Sequence, residues 1–266
     1  MSALFWLLTA LASAHPGGHD RVAEVEARME GDCPAAGLLT RAAIYRQMDH
    51  TAEAQADFDA ARRCDPELEG LDIEEARLHL DLDAPARAQE LLERHVSRVD
   101  GDAGWVLLAQ AHMAQQAFAE ADTAFARALG DDVGASPDHV LSWAEARERS
   151  GRVAAALEVI ERGLEPMSGS PALQDRAVEL EVALGRYDEA LARLDVRLQA
   201  MPTLLATWVQ RGDALVEAGR CPEAKASYGE VLTRWETLPS RLQNRRMAAV
   251  RDEAKRKMEA GPCGRR

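Results

Sequence analysis

Four cysteines and a histidine-bearing amino-terminal segment are the residues of this 266-residue chain best suited to chemistry. Cys33, Cys64, Cys221 and Cys263 form an even set, which in an exported chain points to disulfides that an oxidising compartment preserves. A zinc site is the weaker reading because no CxxC is present. The segment His15-Pro-Gly-Gly-His19-Asp20 holds two imidazoles and a carboxylate within six residues, a set able to bind Cu(II) or Zn(II). Pro16 has no amide proton and excludes the usual amide-nitrogen copper chelate. No phosphate-cradling glycine loop, nucleophile elbow or HExxH occurs, so the sequence implies neither catalysis nor a cofactor.

The elements that must carry these residues read as helices. Hydrophobic residues make up 47% of the chain but aromatics only 5%, so Ala and Leu supply the apolar surface, as in close-packed helices. A net charge of -13 argues against nucleic acid as the partner. From Pro239 onward nine basic residues face three acidic ones, giving a basic tail that can solvate a helix face, dock on the acidic body or touch an anionic membrane. At the other end, Leu4 to Ala12 is an apolar run too short to span a bilayer, and Ala12-Ser13-Ala14 places small residues where a signal peptidase inspects them. Residues 1–14 are therefore expected to be a signal peptide. Export would free the amine of His15 beside the two imidazoles. The compartment expected is the periplasm or envelope of a bacterium.

From Gly37 to Glu236 one alanine marks each period: Ala54, Ala88, Ala121, Ala156, Ala190 and Ala224, at intervals of 34, 33, 35, 34 and 34. Four residues after each stands a large apolar side chain, Phe58, Leu92, Phe125, Ile160, Leu194 and Tyr228. Twelve before each stands a compact residue, Ala42, Ala76, Ala109, Ala144, Val178 and Gly212. Five before each lies a turn residue, Asp49, Asp83, Gly151, Gly185 and Gly219, with Gln116 the exception. Two antiparallel helices crossing closely need a small side chain at the crossing and a bulky one a turn later. One pair cannot bury its own apolar face, so pairs must stack and end in caps.

The third period, Trp105-Val-Leu-Leu108-Ala109 through Phe118-Ala-Glu-Ala121 to Phe125-Ala-Arg-Ala128-Leu129, resembles the tetratricopeptide repeat family, as do Leu184-Gly185-Arg-Tyr187-Asp-Glu-Ala190-Leu191 and Trp208 with Gly212. The second and fifth periods depart from it, with Asp72 and Gln174 where a bulky residue is expected and Leu71 and Leu173 one place earlier. The whole chain also resembles exported bacterial repeat proteins of unassigned role. The resemblance implies an all-α, right-handed superhelical solenoid of six helix-turn-helix units, about 36–67, 68–101, 102–136, 137–170, 171–203 and 204–236. Residues 15–35 would be a flexible start with a short helix at Arg21 to Glu30. Residues 237–266 would form a basic tail and a cap helix from Ser240 to Ala260, with Leu242, Met247, Val250, Ala254 and Met258 on one side.

Repeat geometry then selects among the three cysteine pairings. Cys33 precedes the first helix of unit one and Cys64 ends its second, so the antiparallel pair brings them to one end; Cys221 and Cys263 meet likewise if the cap runs antiparallel to the last helix. His79 and His112 take equivalent first-helix positions and read as packed rings or, less simply, a metal pair. The groove is expected to be lined by Leu39, Ile73, Val106, Leu141 and Val209 with Glu145, Asp175, Glu179 and Asp213, an apolar and acidic trough suited to a protein segment bearing basic and apolar side chains. Family members that grip a peptide carboxylate use Lys and Asn there, but here the lone asparagine, Asn244, is in the cap and the three lysines lie outside the first helices. The expected role is a non-catalytic interaction scaffold; the alternative is a metal-binding or sensing accessory protein using His15, His19 and Asp20. The remaining acids, often beside arginines, read as solvated helix faces.

Overall fold

The computed structural model describes residues 17–99, 101–130 and 136–261, and every regular element among them is helical. The expected signal peptide, His15 and Cys263 lie outside the described residues. A short helix, α1 (Gly18–Glu26), leads into consecutive pairs: α2 (Ala35–Gln47) with α3 (Thr51–Cys64), α4 (Leu71–Asp81) with α5 (Pro85–Val96), and α6 (Asp102–Ala114) with α7 (Phe118–Leu129). Three more pairs follow: α8 (Pro137–Arg149) with α9 (Val153–Leu164), α10 (Pro171–Ala183) with α11 (Tyr187–Ala200), and α12 (Leu205–Glu217) with α13 (Cys221–Thr237). A 3-10 turn at Ser240–Leu242 precedes the last helix, α14 (Arg245–Glu259). The chain divides into two compact units, Met1–Gly130 and Asp131–Arg266.

The turn inside each pair has one backbone form. Asp49, Asp83, Gln116, Gly151, Gly185 and Gly219 all take positive φ, between 54° and 80°. The following amide then reaches back five residues: His50 to Tyr45, Ala84 to His79, Ala117 to His112, Arg152 to Arg147, Arg186 to Glu181 and Arg220 to Leu215, all at 2.8–2.9 Å. This is the Schellman closure, which satisfies carbonyls that the helix end would orphan. Gln116, the one residue that does not look like a turn former, adopts it as well. Helix starts are set by proline in the first turn of α5, α8, α10 and α13, and by side-chain caps from Ser170 to the Leu173 amide and from Asn244 to the Met247 amide.

The columns read from the sequence form the interior of both units. All six register alanines and all six large partners are buried, as are Ala42, Ala76, Ala109, Ala144, Val178 and Gly212. The compactness at the last position has a direct cause, because a Cβ on Gly212 would come within 2.3 Å of the Tyr228 ring. Leu71 and Leu173 are buried as well, so the one-place displacement in the second and fifth pairs still fills the core.

The ends depart from expectation. Instead of Arg21 to Glu30, α1 spans Gly18–Glu26 and so includes His19 and Asp20. Gly17, at φ 102°, supplies the left-handed entry that lets it start early. At the other end the cap begins at Arg245, because Leu238 and Pro239 are extended and only a 3-10 turn follows them. Leu242 is therefore exposed and does not share the packed side of the cap. Met247, Val250, Ala254 and Met258 do, against a cluster that includes Val209, Leu215, Tyr228 and Val231.

Candidate functional site

The residues expected to line a groove sit on first helices, in two units that are taken separately. In the first unit Leu39 packs against the core of the first pair, Ile73 is half-buried and Val106 is buried. Val106 is thus interior surface with little left for a partner. In the second unit Leu141 is half-buried on α8, and Val209 is buried within the cluster that the cap covers.

The four acids of the second unit separate by what already holds them. Glu145 meets Arg149 at 3.5 Å and Glu179 meets Arg176 at 2.6 Å, each within its own helix, and their side chains stay 49% and 62% exposed. Asp175 is taken up more fully, by Arg197 at 2.5 Å and by the Gln210 amide at 3.2 Å, which ties α10 to α11 and α12. Asp213 accepts from the Tyr228 hydroxyl at 2.7 Å and from Lys257 Nζ at 2.7 and 2.8 Å. Burial and then the Asp213 carboxylate push the Tyr228 hydroxyl pKa up; for Lys257 burial acts downward, but the hydrogen bonds it donates to Asp213 and Glu253 outweigh that and raise it. Asp213 is the dock of the cap helix. Glu145 and Glu179 pair within their own helices, whereas Asp175 and Asp213, still 40% and 46% exposed, are also tied to neighbouring helices.

Against the reading of most acids as solvated faces stand five that are buried, Asp57, Asp72, Glu75, Asp122 and Glu181. Arg41 forks onto Asp57 with two bonds of 2.7 Å, and Arg193 forks onto Glu181. Asp72 is held by Arg62 at 2.8 Å, Arg94 at 2.7 Å and Arg98, while Arg62 also reaches Glu75 at 2.5 Å. Burial pushes the Asp72 carboxyl up, yet the hydrogen bonds from Arg94 and Arg62 prevail and leave it below the usual carboxylate range. Paired, charge-assisted bonds make such burial tolerable where a lone carboxylate would not be. A signal existed in the spacing: Asp72 and Arg94, like Asp175 and Arg197, are 22 residues apart, the separation that faces the start of a first helix with the end of its antiparallel partner.

Cys33 and Cys64 form the expected disulfide, with Cα atoms 5.4 Å apart. Cys221 is also disulfide-bonded, and its expected partner Cys263 lies outside the described residues. His79 and His112 occupy matching places at the carbonyls of the Schellman turns, and burial lowers the pKa of both. His79 Nε2 stands 3.8 Å from a Glu75 oxygen. Of the amino-terminal metal candidates, His19 and Asp20 are on α1, and the His19 ring lies 6.0 Å from that of His50. Among the described residues no three His, Cys, Asp or Glu side chains gather as a metal would need, and no helix is long and apolar enough to cross a membrane. Asn244 caps α14, as its position in the cap implied.

No family model and no curated protein matches the sequence. Solved structures do. The C-terminal part of a TPR repeat-containing protein from Cytophaga hutchinsonii aligns with a TM-score of 0.60 at 16% identity, covering 85% of this chain and 95% of that one. A tetratricopeptide repeat protein from Parabacteroides merdae gives 0.58 at 15% identity over 84% and 92%. YrrB, described as a TPR protein with an unusual peptide-binding site, gives 0.54 at 14% identity over 74% and 97%. Likeness at these identities speaks to architecture, and together with the alanine columns and the repeated turn it establishes that this chain has the tetratricopeptide-repeat fold.

Proposed function

We propose that this chain is a non-catalytic scaffold of the bacterial envelope or periplasm that holds a protein segment bearing basic and apolar side chains. The observation that carries the reading is the row on the first helices of the second unit, where half-buried Leu141 stands with the reachable carboxylates of Glu145 and Glu179. Apolar surface gives such a row affinity, while exposed acids steer and select a basic partner. The peptide-binding site attributed to YrrB is consistent with a chain of this fold holding a peptide. Export is supported by the apolar run and small residues of positions 4–14, and by the Cys33–Cys64 disulfide, which a reducing cytosol would not maintain.

Selection of displayed peptides on the whole chain tests this. Enriched peptides should combine Arg or Lys with apolar residues, and their affinity should fall by about tenfold on the double reversal Glu145→Lys with Glu179→Lys, and again with added salt. Peptides that ignore both changes would remove this row from the binding surface.

A further inference from the structure

Two imidazoles far apart in sequence meet at one end of the first helix pair. α1 lies along α2, tied by Arg41 to Glu26 at 2.7 Å and by Arg21 to Gln47 at 3.2 Å, so its first turn faces the turn that follows α2. There the rings of His19 and His50 stand 6.0 Å apart at 61°. The His50 ring stacks on Tyr45 at 13°, and its Nδ1 stands 4.0 Å from a Glu53 oxygen. The Met48 sulfur packs on Gly18, the residue before His19, where an added Cβ would come within 2.5 Å of it.

We infer that His19 and His50, with the Met48 thioether beside them, form a binding site for monovalent copper. A metal–nitrogen bond of about 2.0–2.1 Å puts each ring centre about 3.2 Å from the ion, so two rings sharing one ion stand at most about 6.4 Å apart. The observed 6.0 Å is inside that limit and requires a wide N–Cu–N angle, which a two- or three-coordinate d10 ion accepts. Two imidazoles and a thioether are a soft donor set that favours Cu(I), whereas structural zinc asks for four ligands in a tetrahedron. The site differs from the linear His15–Asp20 segment because two of its three donors, Met48 and His50, come from the turn after α2. It is also separate from the Cys33–Cys64 disulfide, which closes the opposite end of that helix. Nothing in it depends on the scaffold reading.

The test uses the full chain, purified without thiols, and anaerobic Cu(I) supplied as its acetonitrile complex against a chromogenic Cu(I) chelator. One equivalent should be withheld from the chelator. His19→Gln and His50→Gln should each weaken binding by at least about tenfold and Met48→Leu by several-fold, while His139→Gln leaves it unchanged. X-ray absorption of the loaded wild-type chain should show two nitrogen donors and one sulfur, a readout that requires no variant. Failure to take up Cu(I), or binding that survives His50→Gln and Met48→Leu but depends on His19, would overturn the proposal. So would Zn(II) held more tightly than Cu(I) with Met48 irrelevant.

Discussion

The unit up to Gly130 buries Asp57, Asp72, Glu75, His95, His112 and Asp122, whereas the unit from Asp131 buries Glu181, Thr207 and Ser227 among polar side chains. Their ends differ in the same sense. The first is closed by a nine-residue helix and the Cys33–Cys64 bond; the second, where Cys221 is disulfide-bonded too, is closed by the fifteen-residue α14, whose Ala254, Met247, Val250 and Met258 cover an apolar cluster. One repeat frame thus accepts two kinds of interior, with arginines meeting buried acids of the first kind such as Asp57, Asp72 and Glu75. The cost of the polar interior is dependence on solution conditions: its bonds exist in one protonation state, while apolar packing does not answer to protonation.

The largest expected separation of the two units comes from removing the covalent closure. Cys33→Ser with Cys64→Ser opens a loop of 31-residue separation, a loss of roughly 3 to 4 kcal/mol by the chain-entropy relation. Hydrogen exchange should show α1 to α3 losing protection while α8 to α13 keep theirs; equal loss in both units would erase the contrast. A packing change should do the reverse. Gly212→Ala drives a methyl into Tyr228 and should cost about 1–3 kcal/mol in the second unit only, with Tyr228→Leu restoring part of it in a double-mutant cycle.

The smallest effect is acid sensitivity confined to the first unit. Burial lowers the pKa of His79, His95 and His112 below the ordinary imidazole value, against Glu75, Asp72 and the Glu93 and Glu120 pair, which act upward. The unfolded chain takes up these protons near pH 6.5 and the folded unit only at lower pH. Their contribution is therefore complete above about pH 6.5 and is lost as pH falls below it toward the folded values. Between pH 7 and pH 5 the denaturation midpoint of the first unit should drop and that of the second should hold; parallel behaviour would mean that these rings are not what distinguishes them.

Much of this was legible in the residues themselves. Close helix crossings demand a small side chain, so Ala54 to Ala224 gave the register, and Cys33 with Cys64 followed from antiparallel geometry. What escaped were features set between elements. Asp72 looks like a misplaced surface acid until Arg62 and Arg94 arrive from two other helices and Arg98 from the turn after α5, and neighbour rules within a helix do not see that. Val106 and Val209 read as groove lining because period alone does not say how far a neighbouring pair overlaps a first helix. His50 carried no signal at all, since its partner His19 precedes it by a whole helix and the early start of α1 is decided by Gly17.

The six left-handed turns bear on how such a chain changes over generations. Their form is written in backbone amides and carbonyls, and Gln116 shows that even the favoured residue types are dispensable there. Residue substitutions can therefore accumulate at the joints and on the outer faces without shifting the frame, provided the interior columns stay small or bulky in turn. A lineage under those constraints keeps its shape while its letters diverge, which is how a chain can align with repeat structures across most of its length at 14–16% identity.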